Sequence, residues 1–363
     1  MNYNINKLLE EINSITPDII IKNINCQNNS INGILFEKNK KRFFKIISNQ
    51  EMIKEEKAIN LYSKVFPIKK HLNSYHIKND LYLIIYEYDL GIKNNDGLLN
   101  DYFVKNDFKM NYNENKMNKI LSIYNESSKK RIWNDMSPID AFFKDRINSR
   151  LINWYDNEKQ FNKKVVINGY QSISTSEILE ETKKYFQKNK QHLCFVTQGD
   201  HNSLNISTTP YFFDISLLGY NYAIGEFAIC LVSILIFDQY ICPKYHPKSF
   251  YNHDEICKKN KYYKPKINYR NGNLIEINGY LEVTSIRKQY ILKFLEIIKD
   301  FDIYDDLIYF IVMRLMCIFN ISKFDKDDYY YIIFLVHYFY NKLKNNNYNN
   351  LHYLIDNLDE LRR

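Results

Sequence analysis

Residues 198–214 read QGDHNSLNISTTPYFFD, and the spacing of three polar side chains in that stretch decides how the rest of the chain is read. Asp200 is followed five positions later by Asn205 and nine positions beyond that by Asp214, with short β-prone pieces and a turn between them. One hairpin over this stretch brings a carboxylate, an amide and a second carboxylate to the same end. Phosphoryl transfer asks for such a set. One carboxylate orients the acceptor hydroxyl and accepts its proton, while an amide oxygen and a second carboxylate hold magnesium against the phosphate oxygens.

Working outward towards the N-terminus, residues 5–14 read as a short helix, and 19–24, 33–37 and 42–47 as three short strands rich in Ile and Phe. The polar run 38–41, KNKK, makes the hairpin turn between the second and third strands. From 50 to 65 the pattern turns helical, with Met52, Ile59, Tyr62 and Phe66 recurring on one side, and Pro67 stops it. After a charged HIKND turn, LYLIIYEY at 81–88 is a dense β-prone run, and Gly91 with Gly97 marks a break. This divides the chain into 1–91 and 92–363. In the second part helical spacing recurs at 116–124, 139–155, 176–188, 223–240, 285–300, 303–320 and 327–343, and the Asn-rich run 344–350 reads as a loop.

With these elements in this order, the chain resembles the aminoglycoside phosphotransferase and choline kinase superfamily, relatives of the protein kinases. That family's catalytic loop reads H-G-D-x4-N, and its following strand ends in Asp. Here the corresponding residues are Gln198-Gly199-Asp200-x4-Asn205 and then Phe212-Phe213-Asp214. The resemblance implies an α+β, bilobal, protein-kinase-like fold with a small β-rich N-lobe and a larger, mainly helical C-lobe. It implies Asp200 as the base and Asn205 with Asp214 as the Mg²⁺ ligands. Gln198 and Glu226, the latter in GYNYAIGEFA at 219–228, would steady the catalytic-loop backbone.

In the N-lobe the resemblance places Lys45 of FFKII on the third strand, reaching the α- and β-phosphates, with an acid on the next helix to hold it. Glu55 is preferred to Glu56 because it shares a helical face with Met52, Ile59 and Tyr62. The turn 27–33, with Ser30, would cover the phosphates, and Glu87, Tyr88 and Asp89 would meet the adenine as a hinge. The implied activity is ATP- or GTP-dependent phosphorylation of a hydroxyl on a small molecule. A small acceptor is favoured over a protein because no D-F-G, A-P-E or activation segment follows Asp214. Three departures from the family pattern stand out, and the first and last of them support a competing reading, a nucleotide-binding pseudokinase used as an interaction module. Gln198 replaces the family His, Ser203-Leu204 replaces Pro-Gly, and the hairpin 205–214 is shorter than usual.

Composition agrees with a folded protein of two packed parts: 363 residues, 45% hydrophobic and 25% charged. The net charge of +8 is scattered rather than gathered into a stripe, which argues against a nucleic-acid partner. The apolar runs 227–237 and 307–321, the second broken by Arg314, are shorter than a membrane span, and the N-terminus lacks the pattern of a secretory signal. The expected setting is the cytoplasm, with the six cysteines kept as thiols. Cys242, His246, His253 and Cys257 have a count that zinc accepts but not a standard finger spacing, and they are expected not to hold metal. The acidic run Glu296, Asp300, Asp302, Asp305 and Asp306 reads as a solvated face rather than a cation-binding wall, and His201 as a structural loop residue.

Overall fold

The computed structural model describes residues 5–27, 30–78, 80–88, 97–107, 109, 111–245, 264–270, 273–301, 306–344, 348–356 and 358. Helix α1 (Ile5–Ile15) buries Leu8 and Ile12 against a five-stranded antiparallel sheet. The strands are β1 (Ile19–Gln27), β2 (Ser30–Glu37), β3 (Lys40–Ser48), β4 (His71–Lys78) and β5 (Leu81–Glu87), in the order β1-β2-β3-β5-β4. The β2–β3 turn has only two residues, Lys38 and Asn39, both at positive φ (47° and 63°), which matches the right-handed twist of the strands it joins. Helix α2 (Asn49–Tyr62) follows β3 directly and starts with a capping box between Ser48 and Glu51.

Strand β4 corrects the sequence reading, which took 76–80 for a turn and saw no strand before it. HLNSYHIK lies on the sheet edge and buries only Ile77, so it lacks the apolar alternation that marks a strand with one covered face.

The second part of the chain begins with α3 (Leu99–Asn106), α4 (Asn115–Ser128), β6 (Ile132–Asn134) and α5 (Pro138–Arg146). The helical path continues through a π turn (Ile147–Ile152) into α6 (Asn153–Tyr155). Then come β7 (Lys164–Ile167), β8 (Tyr170–Ser172), α7 (Thr175–Phe186), β9 (His192–Thr197), β10 (Gly219–Tyr222) and α8 (Ala223–Val232). A π-helical stretch (Ser233–Ile241) leads into α9 (Cys242–Tyr245), followed by β11 (Lys266–Arg270) and β12 (Leu274–Asn278). The chain closes with α10 (Ser285–Ile297), α11 (Leu307–Cys317), α12 (Lys326–Leu343) and α13 (Tyr348–Asp356). The Asn-rich run read as a loop therefore passes into a helix at Tyr348.

All ten residues of α8 are buried, and α11 is apolar nearly all round, so these two form the centre on which the other helices pack. Two small sheets sit on this core. One is β10-β9-β6; the other is β11-β12-β7-β8, which sequence reading did not find because its strands have only three to five residues.

The two parts meet where α2 ends. Phe66, fully buried, packs edge-on against Tyr124 and Phe212, with ring centroids 5.2 and 4.9 Å away. The Phe212 amide donates to the Pro67 carbonyl at 3.0 Å, and Ile68 bridges to Phe212. These contacts hold the sheet over the 198–214 loop. No helix among the described residues is long and apolar enough to cross a membrane.

Candidate functional site

The site is built where β3, α2 and the 198–214 segment converge. From the central strand β3, Lys45 places its Nζ 2.8 Å from Glu55 Oε1 and 3.0 Å from Asp214 Oδ1. Glu55 rather than Glu56 makes this pair, because residue 55 lies on the face of α2 that turns to the sheet. Its second oxygen accepts from the Tyr86 hydroxyl of β5. Burial pulls the Lys45 ammonium down, yet Asp214, then Glu55 and Tyr86, outweigh it and hold the group well above the ordinary lysine value. In return the Lys45 cation holds the half-exposed Asp214 carboxyl below the usual carboxylate range, with burial opposing.

Strand β9 ends at Thr197 and delivers Gln198, Gly199 and Asp200 into the loop. Gly199 has φ +88°, and a Cβ there would sit 2.4 Å from the Leu217 carbonyl oxygen, so the turn needs glycine. The Asp200 carboxylate is hydrogen-bonded at one oxygen and only ion-paired at the other, where Oδ1 is buried with no hydrogen-bond donor. Oδ2 accepts from the Asn202 and Asn205 amides at 2.9 and 3.0 Å, and Oδ1 lies 2.9 Å from Nη2 of Arg314. Asn205 gives its Nδ2 to Asp200, which leaves its Oδ1 as the end that can face a cation. An amide oxygen and a carboxylate are hard donors of the kind magnesium takes from a protein when phosphates supply the rest, so Asn205 and Asp214 fit that ion.

The departures from the family pattern are accommodated in the backbone. Gln198 Nε2 donates to the carbonyls of Phe213 and Asp214 at 2.8 and 2.9 Å, while its Oε1 accepts from the Asp200 amide at 2.8 Å. One glutamine thus joins both arms of the loop. The shortened segment still closes, with the Phe213 amide donating to Asn205 and the Ser207 amide to Tyr211, each at 2.8 Å. Asp214 sits at φ +49°, an uncommon conformation for a non-glycine residue, and the neighbouring bonds from Gln198 hold it there.

Behind the loop lies a dry polar layer. Glu226 of α8 accepts from the Gly199 amide at 3.0 Å, the Thr197 hydroxyl at 2.8 Å and the Tyr124 hydroxyl at 3.2 Å. Burial pushes its carboxyl up to about 8, against the pull of those hydrogen bonds. His201 is fully buried, bonded to the Tyr290 hydroxyl at 2.8 Å and stacked on Tyr124; burial pushes it down to about 3, so it is neutral and packed rather than poised to move a proton. Asp238, from the π-helical stretch, accepts from the Ser203 amide at 3.1 Å and from its hydroxyl. Sequence reading missed Arg314, Asn202 and Asp238. Asn202 sits inside the decisive motif, whereas the other two are brought in by distant helices and have no local pattern around them.

Several expected residues lie away from this cluster. Ser30 opens β2 with its backbone opposite Gln27, which corrects the expected 27–33 turn: residues 30–33 already pair with β1 as strand. Glu87 ends β5 opposite Arg42 of β3, and its N–H is given to the Lys70 carbonyl at 3.0 Å. Tyr88 follows with its ring under the Lys41 ammonium, 4.0 Å from the centroid. Asp89 lies outside the described residues, as do His246, His253, Cys257, Asp302 and Asp305. Of the acidic run, Asp300 faces Arg131 and Asp306 pairs with Lys190. Lys190 precedes β9, whose six residues span about 20 Å, so Asp306 stands near the opposite end of that strand from Asp200.

No family model matches this chain, and no curated protein sequence matches it. Among solved structures it is similar to an aminoglycoside-3'-phosphotransferase of type VIII, at 9% identity over 82% of this chain and 99% of that one, with TM-score 0.43. It is also similar to aminoglycoside phosphotransferase APH(3'')-Id from Streptomyces rimosus ATCC10970, at 9% identity over 82% and 99% of the two chains and TM-score 0.42. A third is the spectinomycin phosphotransferase APH(9)-Ia, solved with ADP and spectinomycin, at 11% identity over 97% and 98%, TM-score 0.36. The fold is α+β, bilobal and protein-kinase-like. Its marks are the five-stranded sheet followed by helices, the strand lysine paired to the next helix, and the loop after β9 that meets them.

Proposed function

We propose that this protein is an ATP- or GTP-dependent phosphotransferase acting on a hydroxyl group of a small molecule. Residues 1–91 would form the nucleotide-binding lobe, and 92–363 would carry the catalytic loop and the acceptor-binding helices. The observation that carries the reading is that Lys45 reaches Glu55 and Asp214 together, while Asp214 is tied through Gln198 to the loop bearing Asp200 and Asn205. In this reading Lys45, fixed by Glu55, clamps the α- and β-phosphates, and the end of the β1–β2 hairpin with Ser30 covers them. The adenine or guanine meets the main chain at Glu87, Tyr88 and Asp89.

Asp200 takes the acceptor's hydroxyl proton as the new oxygen–phosphorus bond forms and the bond to the bridging oxygen of the nucleotide breaks, releasing the diphosphate. Asn205 and Asp214 would hold Mg²⁺, which when bound neutralises charge on the phosphate oxygens. Glu226 and Gln198 keep the loop in place. The three bonds made by Gln198 favour this reading over an interaction module, since they preserve the link between the loop's two arms that loss of the family His put in question.

The test is a screen of nucleotide consumption against pooled alcohols and sugars with Mg²⁺, run beside Asp200→Asn. That variant should bind nucleotide like the wild type and turn over slower by ~10² to 10⁴. Full turnover in the variant would remove Asp200 from the mechanism. Nucleotide binding that ignores Mg²⁺, with no turnover of any pool, would favour the interaction module.

A further inference from the structure

Helix α11 carries one charged residue, Arg314, between the fully buried Met313 and Leu315, and Arg314 is itself only 5% exposed. A guanidinium in such a place is costly to hold unless it is paired and fully bonded. Its bonding is incomplete. Nη2 lies 2.9 Å from Asp200 Oδ1 and donates to Ser233 Oγ at 2.9 Å, while Nε is buried with no hydrogen-bond partner.

Arg287 provides the contrast within the same molecule. It grips Asp107 with a fork, Nε at 2.9 and 3.2 Å and Nη2 at 3.0 Å, and gives Nη1 to the Ile234 carbonyl, which is how a buried pair that ties helices together looks. Arg314 instead makes a single contact with its acid and leaves one donor dry. Its placement follows Asp200 rather than its own bonding.

The contact is one of charge. Asn202 and Asn205 hold Oδ2 of Asp200 by hydrogen bonds, and the Arg314 guanidinium stands 2.9 Å from Oδ1, which is buried with no hydrogen-bond donor of its own, so the cation is what draws that oxygen to its side. Ser233 belongs to the π-helical stretch, whose five-residue hydrogen-bond spacing also sends Asp238 to Ser203 at the base of the same loop. A base that takes a proton from a positioned hydroxyl works only if its lone pair points along that line. We propose that Arg314 is a positioning residue that fixes the orientation of the Asp200 carboxylate for proton abstraction. This rests on the reading of Asp200 as the base.

Hydrolysis of MgATP, with water as the acceptor, tests the proposal on the full chain without knowledge of the natural acceptor. Arg314→Met should lower kcat on the order of 10- to 100-fold, the scale of a displaced reacting group, with KM for MgATP within about twofold of wild type. Arg314→Lys should recover part of the loss, and Ser233→Ala, which removes only the second anchor, should show a smaller one. In an Asp200→Asn background Arg314→Met should cost nothing further, because its effect passes through the carboxylate. An unaltered kcat in Arg314→Met, or an equal loss in the Asp200→Asn background, overturns the proposal. If Arg314→Met does not fold, the lysine and Ser233 variants decide by the same comparison. Wild-type protein that hydrolyses MgATP no faster than Asp200→Asn would defeat the reading of Asp200 itself, a different outcome from failure of Arg314 alone.

Discussion

The side-chain amide of Gln198 donates to the Asp214 carbonyl at 2.9 Å, so the residue before the loop glycine holds the far arm of the loop as well as the near one. Three bonds depend on that side chain. Gln198→Ala should therefore release Asp214 from its left-handed backbone conformation and cut turnover, whereas Gln198→His, which still offers a ring donor, should keep much of it. Steady-state rates of both variants decide this; equal activity in Gln198→Ala and wild type would show that the bridge is dispensable.

Glu55 is buried and Lys45 nearly so, with side chains 3% and 12% exposed. Removing one partner leaves the other charge stranded, which in buried pairs costs about 3 kcal/mol or more. Lys45→Met should thus lose stability as well as nucleotide affinity, and Glu56→Gln neither. Denaturant titration gives the first quantity and calorimetry with ATP the second. A Lys45→Met protein as stable as wild type would mean that Tyr86, which also donates to Glu55, compensates alone.

Glu226 carries a pH signature whose sign follows from its raised carboxyl. With the group near 8 in the folded protein and 4.5 when unfolded, the folded state binds the extra proton between those values. Its contribution is full below about pH 4.5 and falls as pH rises towards 8, with a slope on the order of 1 kcal/mol per pH unit. Glu226→Gln, permanently neutral, should flatten this part of the stability curve. Unfolding free energies at several pH values check it; an unchanged slope in the variant would assign the dependence elsewhere.

Two glycines at positive φ make a matched pair of tests. Gly169 has φ +84° and open space where a Cβ would go, while Gly199 has φ +88° and the Leu217 carbonyl oxygen at 2.4 Å. Gly169→Ala should cost only the backbone strain, about 1 kcal/mol, and leave activity intact. Gly199→Ala must also move the loop, so it should lose more stability and most turnover. Equal effects of the two would show that the 199–217 approach relaxes freely.

Much of this was legible in the amino-acid sequence, for identifiable reasons. Asp200, Asn205 and Asp214 lie within one short segment, and Lys45 sits in an apolar strand followed at once by a helix, so local order carried the argument. Strand β4 was not legible because an edge strand of polar residues has no alternation to read. The sheet of β11, β12, β7 and β8 escaped because it joins segments about a hundred residues apart, and a parallel pair such as β7–β12 leaves no hairpin signal. Arg314 escaped for a related reason: within an apolar run a lone arginine reads as an interruption, and only the packing of α11 beside Ser233 brings it to Asp200.

The ring of Phe66, wedged between Tyr124 and Phe212, gives the molecule a fulcrum. The end of α2 is pinned there, so a movement of the sheet over the helices that kept this contact would be a rocking about it. Glu55 lies seven residues before Tyr62, roughly 10 Å along the helix, so a ~10° tilt about the end of α2 would sweep it by roughly 2 Å. Lys45 and Glu55 would travel together, while the 3.0 Å span from Lys45 to Asp214 would open. That span is therefore a gauge of how far the cleft stands ajar.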